Sequence, residues 1–288
     1  MSGRARWCRT PLFLGVVMCL TGTSSGAAQT VLLEIRPRAG DTLHLRLEQQ
    51  TELTGTRRAG GNGSPTFATV VTKLRVYSRA IVQRSVATGS YVRAITDSIR
   101  LTTTDSDSRA LGEQARRALE GRSMLLRISP DGTVALVDST RDVSGQGFDA
   151  SLMPAAFPRT AVAVGGTWTR DMPLSAGGRL GPGGRNATGW LHTRFRLDSV
   201  RNGGILAYVS MRGEMSADPD ARLEYGSGPV LEKGTVVGTM LVDRARGWLT
   251  ESQFTIVARS IVRAPGTSDT LMRFDTRVTQ RMKTVERR

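Results

Sequence analysis

The chain of 288 residues is poor in cysteine, histidine, lysine and aromatic residues. Its two cysteines, Cys8 and Cys19, both fall within the first 28 residues, so the remainder can form neither a disulfide bond nor a thiol-based site. Phe, Trp and Tyr make up 5% of the residues, which leaves few stacking platforms for nucleic-acid bases. No apolar run approaches the ~20 residues that a membrane-spanning helix requires.

Side chains with catalytic or metal-binding chemistry are equally sparse. His44 and His192 each alternate with leucine, which predicts that both lie on the polar face of a strand. Zinc sites need three or four converging ligands, which two distant histidines do not supply. The acidic pairs at 105–107 and 218–220 are not expected to bind an ion; a calcium loop would continue the first pair with another acidic residue or Asn, and Arg109 stands there. The match to Gly-x-Ser-x-Gly at 22–26 lies in a segment that we expect to be removed. From the sequence we therefore assign no catalytic residue, no metal site and no cofactor.

The N-terminus predicts export. Three arginines precede an apolar run at 11–20, and small residues follow as far as Ala28, the order found in secretory signal peptides. We predict a signal peptide over 1–28, a periplasmic or secreted protein, and no transmembrane span in the mature chain. Lipid attachment at Cys19 is the alternative, although Met18 stands where a lipoprotein signal prefers a small residue.

The charge is strongly positive, at +15 for the whole chain. Removal of the three N-terminal arginines would leave 37 basic and 25 acidic residues, a net charge of +12. Such a surface attracts anions but does not define a fold. Two interpretations stay open: arginines on solvated faces without a partner, or contact with an anionic envelope surface. Nucleic acid is not an expected partner.

Alternation of apolar and polar residues dominates the rest of the chain and predicts antiparallel strands with one wet face. It is clearest from Val70 to Ala80 and from Met272 to Met282. We predict further strands at 41–53, 91–104, 190–200, 204–215, 235–243 and 249–263. Their length predicts a mainly β fold, a long curved antiparallel sheet that is half-barrel or barrel-like, with one or two short helices.

Turn residues separate these strands at 87–90, 130–132, 201–204 and 244–247, where glycine supplies the positive φ of tight hairpins. One helix is predicted at about 109–120, ended by Gly121, with an apolar stripe that we expect to lie on the sheet. A shorter helical turn is predicted at 148–153, before Pro154.

The hairpins centred on Gly132 and Gly247 resemble each other, and each follows a long series of strands. This order predicts two similar β units: a first unit at 29–144 containing the helix, a linker at 145–165, and a second unit at 166–288. Chance similarity between two β-rich halves is the alternative explanation.

Several of these segments resemble a family of exported bacterial β-rich proteins of unknown function. The shared features are the Gly40–Asp41 pair that opens the first strand, the Val-Gly-x-x-Trp block ending at Trp168, and the hairpin around Gly247. The resemblance covers roughly 31–285, although Gly166 stands where the family usually has Asp. It implies a β-rich fold distantly similar to the half-barrels of periplasmic lipoprotein carriers, and it implies no activity.

We therefore expect a non-catalytic binding module that holds an apolar or amphipathic ligand, such as a lipid, on the inner side of its sheet. Met211, Phe254, Met272 and Phe274 are the candidate ligand-binding residues, because adaptable side chains stand at buried-face positions. Packing of these residues against the helix is the competing explanation. A structural or interaction protein on anionic envelope surfaces or a protein partner is the alternative function, and an enzyme of unrecognised type is a third.

Overall fold

The computed structural model describes residues 30–57, 66–104, 108–139, 156–175, 179–180, 187–217, 230–263 and 270–285. The predicted signal peptide, the acidic pairs at 105–107 and 218–220, and the predicted helical turn at 148–153 lie outside these ranges. Most of the predicted linker lies outside them as well.

The described residues form one α-helix and fourteen β-strands, most of them long. The helix α1 spans Ser108–Leu119. The strands are β1 Thr30–Val31, β2 Thr42–Arg57, β3 Thr66–Val86, β4 Gly89–Thr103, β5 Ser123–Ile128, β6 Val134–Ser139, β7 Val162–Ala163, β8 Thr167–Ser175, β9 Arg179–Leu180, β10 Ala187–Arg201, β11 Leu206–Ala217, β12 Val230–Asp243, β13 Trp248–Arg263 and β14 Thr270–Val285.

Twelve of the described strands form one curved antiparallel sheet in the order β6-β5-β4-β3-β2-β14-β13-β12-β11-β10-β8-β9. Neighbouring strands are hairpin partners nearly throughout, as the turn residues predicted. The exceptions are β4 and β5, which the helix separates, β8 and β10, which have β9 between them in sequence, and β2 and β14. The pairing of β2 with β14 runs from Met272 opposite Arg57 to Val285 opposite His44. Strands β1 and β7 form a separate two-stranded sheet. The mainly β prediction is confirmed, and in the described part of the chain the large sheet is open, with β6 and β9 at its edges.

The four predicted turns all join strands of this sheet. Asn202 and Gly203 both have positive φ, which is the backbone conformation that a tight Asn-Gly hairpin requires. Gly132 and Gly247 also have positive φ, at 87° and 61°. Their hairpins join β5 to β6 and β12 to β13.

The two faces of the sheet differ as the alternation predicted. We call the buried face of the sheet the inner face. One row of cross-strand neighbours on this face consists of Trp168, Phe195, Met211, Gly238, Phe254, Gln280, Gln49 and Leu74. On β10 the inner residues Leu191, Thr193, Phe195 and Leu197 are buried, and the residues between them are exposed. Phe195 is fully buried, and its ring stacks on Trp168 with centroids 5.6 Å apart.

The helix lies beside β4. Its Gly112 faces Leu101, whose Cδ2 atom would be 2.8 Å from a Cβ at that position. Gly121 ends the helix with φ of 76°, and its N–H donates to the carbonyl of Thr96 at 2.8 Å. The predicted helix at 109–120 is confirmed. Among the described residues no helix is long and apolar enough to cross a membrane.

The sheet runs without interruption from the first predicted unit into the second. The strand openings of the two units share a backbone pattern: Gly40 donates to the carbonyl of Val82 at 2.8 Å, and Gly165 donates to that of Leu197 at 2.7 Å. In return, the backbone N–H of Val82 donates to the carbonyl of Asp41, and the backbone N–H of Leu197 donates to the carbonyl of Gly166. Gly166 thus takes the place that Asp41 has in the first unit. The duplication itself stays a prediction.

Candidate functional site

The segment before β2 lies across the inner face of the sheet. Val31, Leu33, Ile35 and Pro37 are buried, whereas Leu32 and Arg36 between them are exposed. This alternation is that of a strand, but no strand is assigned between residues 32 and 39. We call residues 31–37 the covering segment.

Both similar hairpins hold the covering segment by its backbone. Ile35 donates its N–H to the carbonyl of Pro130 at 2.9 Å, and Arg36 donates to that of Gly247 at 2.8 Å. A Cβ atom on Gly247 would overlap the backbone of Arg36, so glycine is required there by close approach as well as by its φ. The two hairpins that the sequence shows as similar therefore share a structural role.

A third strip of chain, at Ala156 and Phe157, completes the cover. Both residues are buried, and their N–H groups donate to the carbonyl of Asp131 at 3.1 and 3.0 Å. Trp168 donates from its indole Nε1 to the carbonyl of Ala156 at 2.6 Å, and Arg170 donates from its guanidinium to that of Phe157. Strand β8 thereby fixes the strip from one side and the hairpin at Gly132 fixes it from the other.

Between these covering elements and the sheet lies a partly open cavity of about 200 Å³. Its walls come from the covering segment, from both hairpins and from strands on each side of the β2–β14 junction. The lining residues are Ile35, Leu45, Ala80, Val92, Ala94, Leu126, Ile128, Gly132, Val134, Ala156, Phe157, Met240, Trp248, Leu249 and Met282. Trp248 is the only one of them whose side chain carries an N–H or O–H group.

Two buried polar groups, one on a lining residue and one on a neighbour of lining residues, lack hydrogen-bond partners within the described residues. The indole Nε1 of Trp248 is one, and the side chain is 7% exposed. The hydroxyl of Ser252 is the other; this residue is fully buried and pairs across the sheet with Met240 and Met282, both of which line the cavity. Unpaired buried donors are uncommon in folded proteins and call for a physical explanation.

The four ligand-binding candidates from the sequence share the inner face but do not form one site. Met211 and Phe254 are buried in the core, two strands apart in the same cross-strand row. Met272 and Phe274 are half-buried, and Phe274 lies six residues along β14 from Gln280, the neighbour of Phe254. At ~3.3 Å per residue this separation is about 20 Å. None of the four lines the cavity.

The predicted surface histidine His192 lies on the outer face, where its Nδ1 is 2.9 Å from Oδ1 of Asp171. Glu214 is opposite His192 on β11, so the ring stands between two carboxylates. The His192 and Asp171 side chains are 55% and 63% exposed, so solvent screens their interaction. Within the described ranges, no group of three or more His, Cys, Asp or Glu side chains could hold a metal ion.

A second surface feature is a cluster of basic side chains on the outer face of β2, β3, β4 and β14, which we call the cationic outer patch. It consists of Arg46, Lys73, Arg75, Arg100, Arg277, Arg281 and Lys283. A groove of about 450 Å³ runs between several of them, including Lys73, Arg75 and Arg100. Hydrogen bonding to the guanidinium of Arg46 lowers the pKa of Glu48, which also pairs with Arg75 at 2.8 Å.

No family model matches the chain, and no curated protein matches it. Among solved structures, it aligns with DynF from the dynemicin biosynthesis pathway of Micromonospora chersina at 9% identity and a TM-score of 0.22, over 91% of this chain and 88% of that chain. It also aligns with a deltaS2 mutant of the TodX monoaromatic hydrocarbon channel at 10% identity and a TM-score of 0.28, covering 86% of this chain and 91% of that chain. Likeness at this level supports no argument about function.

Sequence reasoning missed the cavity because its walls come from distant segments. Ile35 is about a hundred residues from the hairpin of Gly132 and about two hundred from Trp248. A signal was nevertheless present in the short alternation of Val31, Leu33 and Ile35 immediately before Pro37. The repeated hairpin was a second signal, although it indicated architecture and not a site.

Proposed function

We propose that this protein is an exported, non-catalytic binding module of the cell envelope whose ligand is apolar or amphipathic. The observation that supports the proposal is the apolar cavity of about 200 Å³ under the covering segment. An engineered apolar cavity of about 150 Å³ stays dry and binds benzene, so a site of this size and lining favours a small apolar group over water.

The size of the cavity sets the part of the ligand that enters it. A single ring or a short alkyl chain fits the volume, whereas a complete long-chain lipid does not. The cavity is partly open, so a larger amphipathic ligand can place one apolar end inside and keep the rest in solvent. The half-buried inner-face residues Met272 and Phe274 lie elsewhere on the sheet and are not needed for this binding.

A cavity-filling substitution tests the proposal. Ala94 lines the cavity from β4, and Leu at this position occupies volume that the ligand would take. We expect A94L to weaken the binding of 1-hexanol and methylcyclohexane at least tenfold by calorimetric titration. Ala135 is exposed on the edge strand β6, so A135L adds the same side chain without entering the cavity and should bind both probes like the wild type.

Thermal melting of the three proteins shows whether loss of binding reflects loss of folding. If A94L is destabilised, Val134→Phe fills the cavity from β6 and serves as the second variant. Absence of binding to the folded wild-type protein, or equal binding to A94L and A135L, contradicts the proposal.

A second candidate function is association with an anionic envelope surface or partner, and the cationic outer patch favours it. Lys73 and Arg100 make no ion pair with another described residue, whereas Arg75 and Arg281 are paired with Glu48 and Glu251. These two cations, and Arg277 of the same patch, make no ion pair with another described residue and are therefore available to an external anion.

Charge reversal tests this candidate. We expect the double variant K73E/R100E to lose binding to vesicles that contain phosphatidylglycerol, and binding of the wild type to fade between 0.1 and 1 M salt as the Debye length falls from ~10 to ~3 Å. The matched control R194E/R196E changes two exposed cations on β10 and keeps the patch intact. Equal losses in both variants indicate a general charge effect and contradict a specific patch.

A further inference from the structure

Lys73, Arg75 and Arg100 form one corner of the cationic outer patch, which we call the β3–β4 corner. Arg75 stands directly opposite Arg100 in the pairing of β3 with β4, and Lys73 is two residues from Arg75 on the same face. All three residues are exposed, and they line the groove of about 450 Å³. Like charges directly opposite each other destabilise a pair of strands. The corner therefore concentrates positive charge that disfavours the sheet unless an anion offsets it.

The one carboxylate among the residues that line this groove does not neutralise the corner. Glu48 accepts a hydrogen bond from Arg46 at 2.5 Å and another from Nε of Arg75 at 2.9 Å. Lys73 and Arg100 make no ion pair with another described residue. Two of the three cations in the corner are thus free to contact an external anion.

The helix next to β4 does not supply the missing anion either. Arg75 and Arg100 also line a second groove of about 530 Å³, to which α1 contributes the carboxylates of Glu113 and Glu120. Both of these carboxylates pair with Arg116, each at 3.0 Å. They are therefore engaged within the helix.

The free cations of the corner are close enough to hold one small anion together. Thr102 is opposite Lys73 on β4 and two residues from Arg100, so Lys73 and Arg100 are diagonal neighbours. Such neighbours are about 7–8 Å apart, which long side chains can span. Thr102 is exposed and lines the same groove. The corner thus offers an ammonium, a guanidinium and a hydroxyl group to a single oxyanion.

A second pair of opposed arginines on the outer face lies in a different environment. Arg194 and Arg212 face each other on β10 and β11, and both are exposed. They line a groove of about 410 Å³ together with Asp171 and Glu214, so two basic side chains meet two carboxylates there. The groove at the β3–β4 corner is lined instead by four basic side chains and one carboxylate, a net charge of +3. The unbalanced charge therefore distinguishes the corner from the rest of the outer face.

We propose that the β3–β4 corner is a binding site for one phosphomonoester group, held by Lys73, Arg75 and Arg100 with the hydroxyl of Thr102. This inference rests on the second candidate function, association with an anionic envelope surface or partner, and specifies the group that the patch recognises. A phosphomonoester carries about −1.5 to −2 charges at pH 7 and three acceptor oxygens, so it suits several cations that meet at one point. A phosphodiester carries less charge and fewer free oxygens, so it should bind more weakly.

Vesicles of two lipids test the preference. Phosphatidic acid presents a phosphomonoester and phosphatidylglycerol a phosphodiester, and their contents are adjusted to give the same zeta potential. We expect the wild type to bind phosphatidic acid vesicles about three- to tenfold more tightly in sedimentation assays, the size of about one charge contact at a membrane surface. Arg100→Gln should abolish this preference, whereas the matched control Arg194→Gln, in the balanced groove, should keep it.

A soluble phosphomonoester tests the same site without a bilayer. The Nε–H resonance of Arg100, assigned by its loss in Arg100→Gln, is followed during titration with glycerol 3-phosphate, and acetate at equal ionic strength is the control. We expect a saturable shift with glycerol 3-phosphate only. Arg100→Gln should melt at the same temperature as the wild type or higher in low salt, because it removes the repulsion from Arg75.

The two assays together identify the source of the group. A saturable shift without a lipid preference assigns the site to a soluble phosphate ester, and a lipid preference without a shift assigns it to a lipid headgroup. Equal affinity for both lipids with no saturable shift overturns the inference but leaves association with anionic surfaces standing. A lipid preference that persists in Arg100→Gln also overturns it. If the folded wild type binds neither kind of vesicle and shows no shift, the second candidate function fails as well.

Discussion

Substitution of Gly247 by alanine tests how the covering segment is held. Gly247 has φ of 61°, and a Cβ atom there would overlap the backbone of Arg36. Alanine in the left-handed region costs about 1–2 kcal/mol. Displacement of Arg36 also breaks its hydrogen bond to Gly247, worth about 0.5–1.5 kcal/mol net. We therefore expect the free energy of unfolding to fall by about 1.5–3.5 kcal/mol, and by more if Ile35 leaves the core.

Gly203 provides the matched control for this substitution. Its φ of 64° is nearly the same, but nothing lies within 4 Å of the Cβ position. G203A should therefore show the conformational cost alone, about 1–2 kcal/mol. Urea unfolding measures both variants, and trypsin cleavage after Arg38 reports release of the covering segment. Equal destabilisation of G247A and G203A, with no gain in cleavage, would refute the role of Gly247 as the anchor.

Three further predictions concern the core, an unpaired hydroxyl and an outer-face ion pair. Phe195→Ala removes a fully buried ring that stacks on Trp168 and should lower the free energy of unfolding by about 3–5 kcal/mol in urea titrations. Ser252→Ala removes a buried hydroxyl without a partner and should leave the melting temperature unchanged or raise it. The control S90A deletes a hydroxyl that lies 3.1 Å from Ser85 Oγ and should lower the melting temperature. The lowered pKa of Glu48 means that its pairing with Arg46 stabilises the fold above the ordinary carboxyl pKa, and that this contribution is lost as pH falls through the lowered value. Acid unfolding of Glu48→Gln should therefore show a smaller loss of stability below about pH 5 than that of the wild type; the same acid dependence in both proteins would count against this pairing.

Strands and turns could be predicted from the sequence because both are encoded locally. The alternation from Met272 to Met282 assigned the faces of β14, and the turns at Gly132 and Gly247 marked their hairpins. Each of these patterns lies within about fifteen consecutive residues, and sheet geometry translates it directly into inner and outer positions.

Long-range pairing and the cavity could not be predicted in the same way. Nothing local in β2 or β14 identifies the other as its partner, since alternation specifies a face but not a neighbour. The role of Trp248 is not encoded locally either, because in the sequence it is simply an apolar residue that follows a turn. Its place in the cavity wall becomes visible only when Ile35 and Ala94, from remote parts of the chain, are found beside the same cavity.

The proposed binding function requires that the cavity under the covering segment receives an apolar ligand. Crystals soaked with bromocyclohexane measure this directly through the anomalous signal of bromine. We predict a single strong peak enclosed by Ala94, Phe157, Trp248 and Leu249. A cavity filled by ordered water or by rearranged side chains, with bromine absent or bound only elsewhere, would contradict the account.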